Sequence, residues 1–241
     1  MLPMTAGRRV ALAIGVPLCL VLTANTGWDL VANVGRGTFP VDYHIPAAAH
    51  RVSVTTSGGS VVLRQIAGGQ PSVVGTATYS LVRPHITERL TAGESVITYR
   101  CVFWEGDCGF DGTVSVGAGT AVSVSTGGGD VTANRVSGDL ALSTGGGNVQ
   151  VTGVAATQVS ADTGGGDVEI VFTQVPRNVQ VSTGGGNITI VVPPGSAQYH
   201  VTASTGGGNV NDAVPQNTSS PRVIDASSGG GDITIREATS P

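Results

Sequence analysis

From Val122 onward the chain alternates apolar and small polar residues in paired short runs, and each pair is joined by a hydroxyl residue followed by three glycines. The six residues that follow the triplets are Asp130, Asn148, Asp167, Asn187, Asn209 and Asp232. Counted from these, offsets −8, −6, +1 and +3 are apolar in 23 of 24 cases, and Asp212 is the exception. Period-2 alternation on both sides of a corner predicts two short strands per repeat, each with one buried face. A fainter seventh copy centres on Ser60, with Thr56 before it and Val52, Val54, Val61 and Leu63 at the apolar offsets. No segment carries a sustained 3.6-residue stripe. One repeat of four small aliphatics cannot form a core alone, so neighbouring repeats must stack. The expected fold is an all-β, β-solenoid-like stack of about six to seven coils, preceded by one N-terminal transmembrane or signal helix.

The corner residues are expected to be structural. Glycine there permits positive φ or close backbone approach, and the Asp or Asn that follows can cap the turn. The six Asp/Asn should therefore form a ladder along one edge. Corner-to-corner steps lengthen from 18 to 23 residues, and all of that change falls on the opposite edge. Arg135, Phe172, Arg177, Tyr199 and His200 lie in those variable segments. Loops displayed by a rigid scaffold commonly carry recognition, so these five residues are the candidate binding edge, with loops that merely close the coils as the plain alternative.

The N-terminus reads differently. Arg8-Arg9 precede Val10 to Ala24, which carry no charge, and the apolar character continues through Trp28, Leu30 and Val31. This is the pattern of an export signal or an uncleaved anchor. Cleavage after Ala24 or Ala32 would put Leu22 or Leu30 where a small residue is needed, which favours an anchor. Leu18 before Cys19 fits a lipoprotein signal poorly, and the surroundings of Arg8-Arg9 fit a twin-arginine signal poorly. The expected organisation is a membrane segment over 1–34 (contacting the bilayer through 10–34), a linker over 35–49 and the β-repeat domain over 50–241. That domain divides into an irregular part over 50–115 and the glycine-triplet repeats over 116–241. Arginine on the inside places the domain outside the cytoplasm, or secretes it if the segment is cleaved. There Cys101 and Cys108, with six residues between them, are expected to form a disulfide. A metal reading lacks a second ligand pair, and the spacing is not that of a redox Cys-x-x-Cys.

Composition narrows function by exclusion. Charged residues make up 12% of the chain, all twelve basic residues are Arg, and the formal net charge is −4. No basic stripe marks a nucleic-acid partner. Calcium β-rolls need richer carboxylate sets and a shorter period, whereas three of the six anchors here are Asn. A polysaccharide-active β-helix enzyme would need paired acids. The only close pair within a repeat is Asp167 and Glu169, both expected to face solvent. A single Thr per coil is a poor ice-binding array. No catalytic residue, metal site or cofactor is expected.

Tyr99-Arg100-Cys101, Cys108, Val114-Ser115-Val116, Gly119 and the Val-Ser-Thr-Gly-Gly-Gly-Asp-Val units from Val124 together resemble the adhesin-like toastrack domains of bacteria, β-strand-repeat domains of unknown function. The resemblance covers about residues 50–240. It implies an extracytoplasmic β stack, often behind one membrane anchor, linked to surface adhesion or envelope-stress signalling and carrying no established catalytic residues. The partners it suggests are a cell-wall glycan, another surface ligand or a membrane signalling protein.

Overall fold

The computed structural model describes residues 36–80, 82–101 and 108–239. The expected membrane segment, 1–34, and the interior of the cysteine loop lie outside the described residues. The described chain is all-β, with nineteen strands numbered in chain order. The first sheet runs β1 (Arg36–His44), β4 (Ser72–Ser80), β7 (Gly109–Val116), β3 (Val61–Gln65), β9 (Val131–Asn134), β11 (Val149–Val154), β13 (Val168–Phe172), β15 (Ile188–Val192), β19 (Ile233–Glu237), β17 (Val210–Asp212). The second runs β16 (His200–Thr205), β18 (Val223–Ser228), β14 (Asn178–Thr183), β12 (Gln158–Thr163), β10 (Leu140–Thr144), β8 (Ala121–Thr126), β2 (Arg51–Thr56), β6 (Glu94–Arg100), β5 (His85–Thr91).

Each repeat supplies one strand to each sheet, and successive coils pair in parallel and in register. Val122 pairs with Leu140, Leu140 with Val159, and Val159 with Val179. Register is fixed because a one-residue slip would turn every aliphatic to solvent. The apolar offsets of the five other repeats are all buried. Only the coil of β16 and β17 is open, with Val210 44% exposed.

Three features depart from the expectation. The strands pair into eight two-strand coils rather than six or seven. The additional coil is β6–β7, hidden in the region that breaks the glycine repeat. Here the Cys101–Cys108 disulfide, with Cα atoms 6.1 Å apart, stands where other coils have a glycine corner. The expected linker over 35–49 holds a strand, because Arg36–His44 form β1, which pairs antiparallel with β4 from Arg36↔Ser80 to His44↔Ser72. With β4 on β7 and β5 on β6, these antiparallel strands cap one end of the stack. Finally, coil order is not chain order: β18–β19 inserts between β14–β15 and β16–β17.

The corner explains the glycines by proximity more than by dihedral angle. A Cβ on Gly164 or Gly166 would collide with the carbonyl oxygen of Gly145 or Gly147 one coil away, whereas Gly165 has open space. Positive φ occurs in only one triplet, at Gly129. The hydroxyl before each triplet ties two coils together, and it is buried in every repeat except at half-buried Thr205. Thr163 Oγ1 donates to Gly147 O at 2.7 Å and accepts from Gly166 N at 3.2 Å. Thr126, Thr144, Thr183, Ser228 and Thr205 likewise donate to a glycine carbonyl of the adjoining coil.

The corner Asp and Asn do not cap their own turns. Each side-chain oxygen accepts the backbone N–H of the next rung. The series runs Asp111, Ser60, Asp130, Asn148, Asp167, Asn187, Asp232, Asn209, with distances of 2.7–3.3 Å. In this spatial order every carboxylate sits between neutral rungs.

Substitutions at the corner test both devices. Gly166→Ala should lower the unfolding free energy by roughly 1–3 kcal/mol through overpacking, while Gly165→Ala should leave it unchanged or raise it by about 0.5 kcal/mol; thermal melts of the two variants decide between proximity and mere flexibility. Asn148→Asp would create three consecutive carboxylates about 4.8 Å apart, a cost of about 1 kcal/mol per new pair. Its Tm should fall by a few degrees, and added salt should narrow the gap to the parent chain.

Candidate interaction surface

The edge opposite the glycine corners is built by the turns that return from the first sheet to the second. Their backbone is held coil to coil: Arg135 N donates to Thr152 O, Ala155 N to Val136 O, and Thr173 N to Val154 O. Arg135 takes a positive φ of 50° at this turn and remains exposed, as does Arg177. His200 is half-buried at the start of β16.

Two of the five candidate edge residues belong elsewhere. Phe172 is 3% exposed and Tyr199 is fully buried, both within the continuous core. Phe172 ends β13 two residues after buried Ile170, and Tyr199 stands two residues before Val201, so both continue the inward parity and extend the core instead of displaying a ring. Tyr199 is extended, its N–H donating to Pro215 O and its carbonyl accepting from Asn217 N. Its hydroxyl has no hydrogen-bond partner. Burial raises its pKa above the ordinary tyrosine value, with Arg222 opposing the rise and Glu237 adding to it.

Beside this edge, on the outer face of the second sheet, lies a shallow groove of about 290 Å³. Its floor is made of small side chains, Ala121, Ser123, Ala141 and Ser160, repeated coil after coil. Larger polar groups bound it: Arg51 at one end, Asn178 and Gln180 at the other, and Asp139 and Gln158 along the loop side. Asp139 is held in place, accepting from Thr157 Oγ1 and Gln158 N at 2.9 Å each. Gln158 stands in register with Asn178 on the next coil and Gln180 lies two residues along β14, with their side-chain amides free to exchange hydrogen bonds with a ligand. Periodicity reasoning missed this groove because its lining falls at outward offsets, where small polar residues read as solvated surface. The signal was present in the rise from Ser and Ala to Gln and Asn across successive coils.

The remaining sequence candidates are accounted for by structure. Asp130, Asn148, Asp167, Asn187, Asn209 and Asp232 form the rung-to-rung ladder. Glu169 faces outward and accepts from Gln150 Nε2 at 3.3 Å, while Asp167 accepts the N–H of Asn187. Among the described residues, no group of three or more His, Cys, Asp or Glu side chains is arranged to hold a metal ion.

A parallel, in-register stack with one constant corner and one variable edge defines a β-solenoid repeat domain. Within that class the chain belongs to the Toastrack DUF4097 family, whose sequence profile matches residues 19–240. Among solved structures it is similar to a "putative cell adhesion protein" from Clostridium sporogenes, with TM-score 0.50, 16% identity, and coverage of 84% of this chain and 100% of that one. It also matches a "putative adhesin" from Bacteroides fragilis, with TM-score 0.46, 13% identity, and coverage of 84% and 97%. At these identities the likeness shows the fold alone. No curated protein matches the chain.

The orphan hydroxyl gives a direct test of the core assignment. Tyr199→Phe removes a buried, unpaired donor without opening a cavity, so it should be neutral or stabilising by about 1 kcal/mol. A ligand-binding role for Tyr199 would instead leave stability unaltered and reduce binding, which a melt and a binding assay on the same variant would separate.

Proposed function

We propose that this protein is a non-catalytic, membrane-anchored surface module of adhesin type. Its β stack stands outside the cytoplasm, and its groove beside the variable edge binds an extended envelope glycan. The observation that carries this reading is the groove itself. Hydroxyls and planar amides line it across successive coils, with one guanidinium and one fixed carboxylate at its margin, on a floor too small to obstruct a chain laid along the stack. Such groups exchange hydrogen bonds with sugar hydroxyls. Without an exposed aromatic platform in the groove, each unit is held weakly, so useful retention requires many units in contact at once. A rigid stack suits that demand because it presents repeated contacts without an ordering cost on binding. The disulfide at the capped end and the apolar segment over 10–34 agree with an exported position. The adhesion names of structurally similar proteins fit the same reading. The outward Asp167 and Glu169, each engaged in structural hydrogen bonds, support a scaffold more than a hydrolase.

The test is retention of the full chain, in detergent, on purified cell-wall glycan. Gln158→Ala with Asn178→Ala should weaken retention about tenfold, the equivalent of roughly 1.4 kcal/mol, while thermal stability stays within a degree or two of the parent. Unchanged retention would overturn the groove. A chain that ignores wall glycan and instead copurifies from intact membranes with a signalling protein would favour the alternative role in envelope-stress sensing.

A further inference from the structure

The antiparallel cap has a chemistry of its own. Among the described residues, the strands at the capped end (β1, β4, β5, β6 and β7) and the turn before β5 carry Arg36, Arg83, Arg89 and Arg100 against Asp42, Glu88, Glu94 and Asp111. Residues 117–239 carry four arginines against nine carboxylates. The body of the stack is therefore acidic, while the capped end is balanced in charge and gathers its arginines locally. The cap also holds exposed Leu90 (50%), Val82 (46%) and Val74 (47%), which account for half of the large hydrophobic side chains exposed in the described chain. At the same end Arg83 lies over the rings of Phe39 and Tyr79, at 5.8 and 5.9 Å from their centroids.

The outer face of β5 and β6 carries a groove of about 390 Å³. Antiparallel pairing sets His85 opposite Arg100, Thr87 opposite Thr98 and Arg89 opposite Val96. Those six residues line the groove, and no carboxylate is among them. No ion pair among the described residues engages Arg89 or Arg100. Two unpaired guanidinium groups and an imidazole, with two hydroxyls between them, form a donor set suited to a phosphate.

We propose that this groove binds the phosphate headgroups of anionic phospholipid and seats the cap on the membrane surface. The proposal rests on the membrane-anchored reading of the chain. Charge complementarity and the path of the chain select this occupant. β1, the outermost strand of the first sheet at this end, begins at Arg36, two residues after the expected end of the apolar segment at Val34. Two residues span at most about 7 Å, so the cap is the part of the stack held nearest the bilayer. An anionic surface attracts the arginine groove at the capped end and repels the acidic body, which orients the stack away from the membrane. The exposed aliphatics and the Phe39–Tyr79 pair supply amphipathic contacts at headgroup depth.

The experiment uses the full chain reconstituted in lipid nanodiscs, either zwitterionic alone or mixed with phosphatidylglycerol. An arginine-selective dicarbonyl reagent reports accessibility by mass spectrometry, with Arg135 and Arg177 as internal references. Labelling of Arg89 and Arg100 should fall severalfold in the anionic discs only, and the protection should vanish at high salt. Equal labelling in both discs overturns the headgroup site. Protection in zwitterionic discs on adding inorganic phosphate, with none from anionic lipid, overturns it in favour of a soluble phosphate ligand. A chain that enters neither disc overturns the anchor. The headgroup site then stands if the chain still cosediments with anionic but not zwitterionic vesicles, and falls if it does not.

Discussion

Successive coils meet at their glycine corners with no space for a β-carbon between one glycine and the carbonyl of the next. Most of the architecture depends on that contact. It sets the coils at strand spacing, places each buried hydroxyl within reach of the neighbouring carbonyl, and aligns each corner carboxylate or amide with the next backbone N–H. A backbone turned inward at a corner would otherwise carry costly unpaired groups. Here the hydroxyl satisfies donors on its own coil and an acceptor on the next. Because the corner is so tightly specified, variation is pushed to the opposite edge, where turns of different length are compatible with the same register.

The side-chain ladder adds an electrostatic condition to this geometry. Adjacent rungs sit at strand spacing, so like charges on neighbouring rungs would repel at close range. The spatial order answers with strict alternation of Asp and an uncharged residue from Asp111 to Asn209. In the sequence the alternation breaks at Asn187 and Asn209, which are successive anchors. The break is repaired because the last coil enters between them and sets Asp232 beside both.

Much of this was legible from residues alone, and the reasons differ by element. The paired strands from β8 to β19 follow from strict period-2 burial, which short-range pattern reports faithfully. The disulfide followed from spacing and the expectation of export. The β6–β7 coil was hidden because a disulfide replaces its glycine corner, and the edge strand β1 because Pro40 reads as a strand breaker between Phe39, Val41 and Tyr43, which otherwise alternate. Phe172 and Tyr199 were placed at the surface because they stand outside the four offsets counted, although each keeps the inward parity, two residues after Ile170 and two before Val201. Neither groove is visible as a motif, since each is assembled from side chains contributed by separate strands.

The inserted coil has an energetic reason that also explains the one exception in the repeat. The coil of β16 and β17 offers Val201, Ala203, Val210 and Asp212 to the core, the least apolar set of any repeat. The last coil offers Ile224, Ala226, Ile233 and Ile235, each with no measurable exposure. Stacking in chain order would bury Asp212 between Ile190 and Ile235, and an unpaired carboxylate there would be far costlier than a partly exposed valine. At the free end its oxygens instead accept from Val214 N and Gln216 Nε2, fastening the loop that carries the chain past the end and back inside. The exception thus marks the terminus of the stack. It also shows why one end needs an antiparallel cap while the other is closed by a carboxylate and its loop.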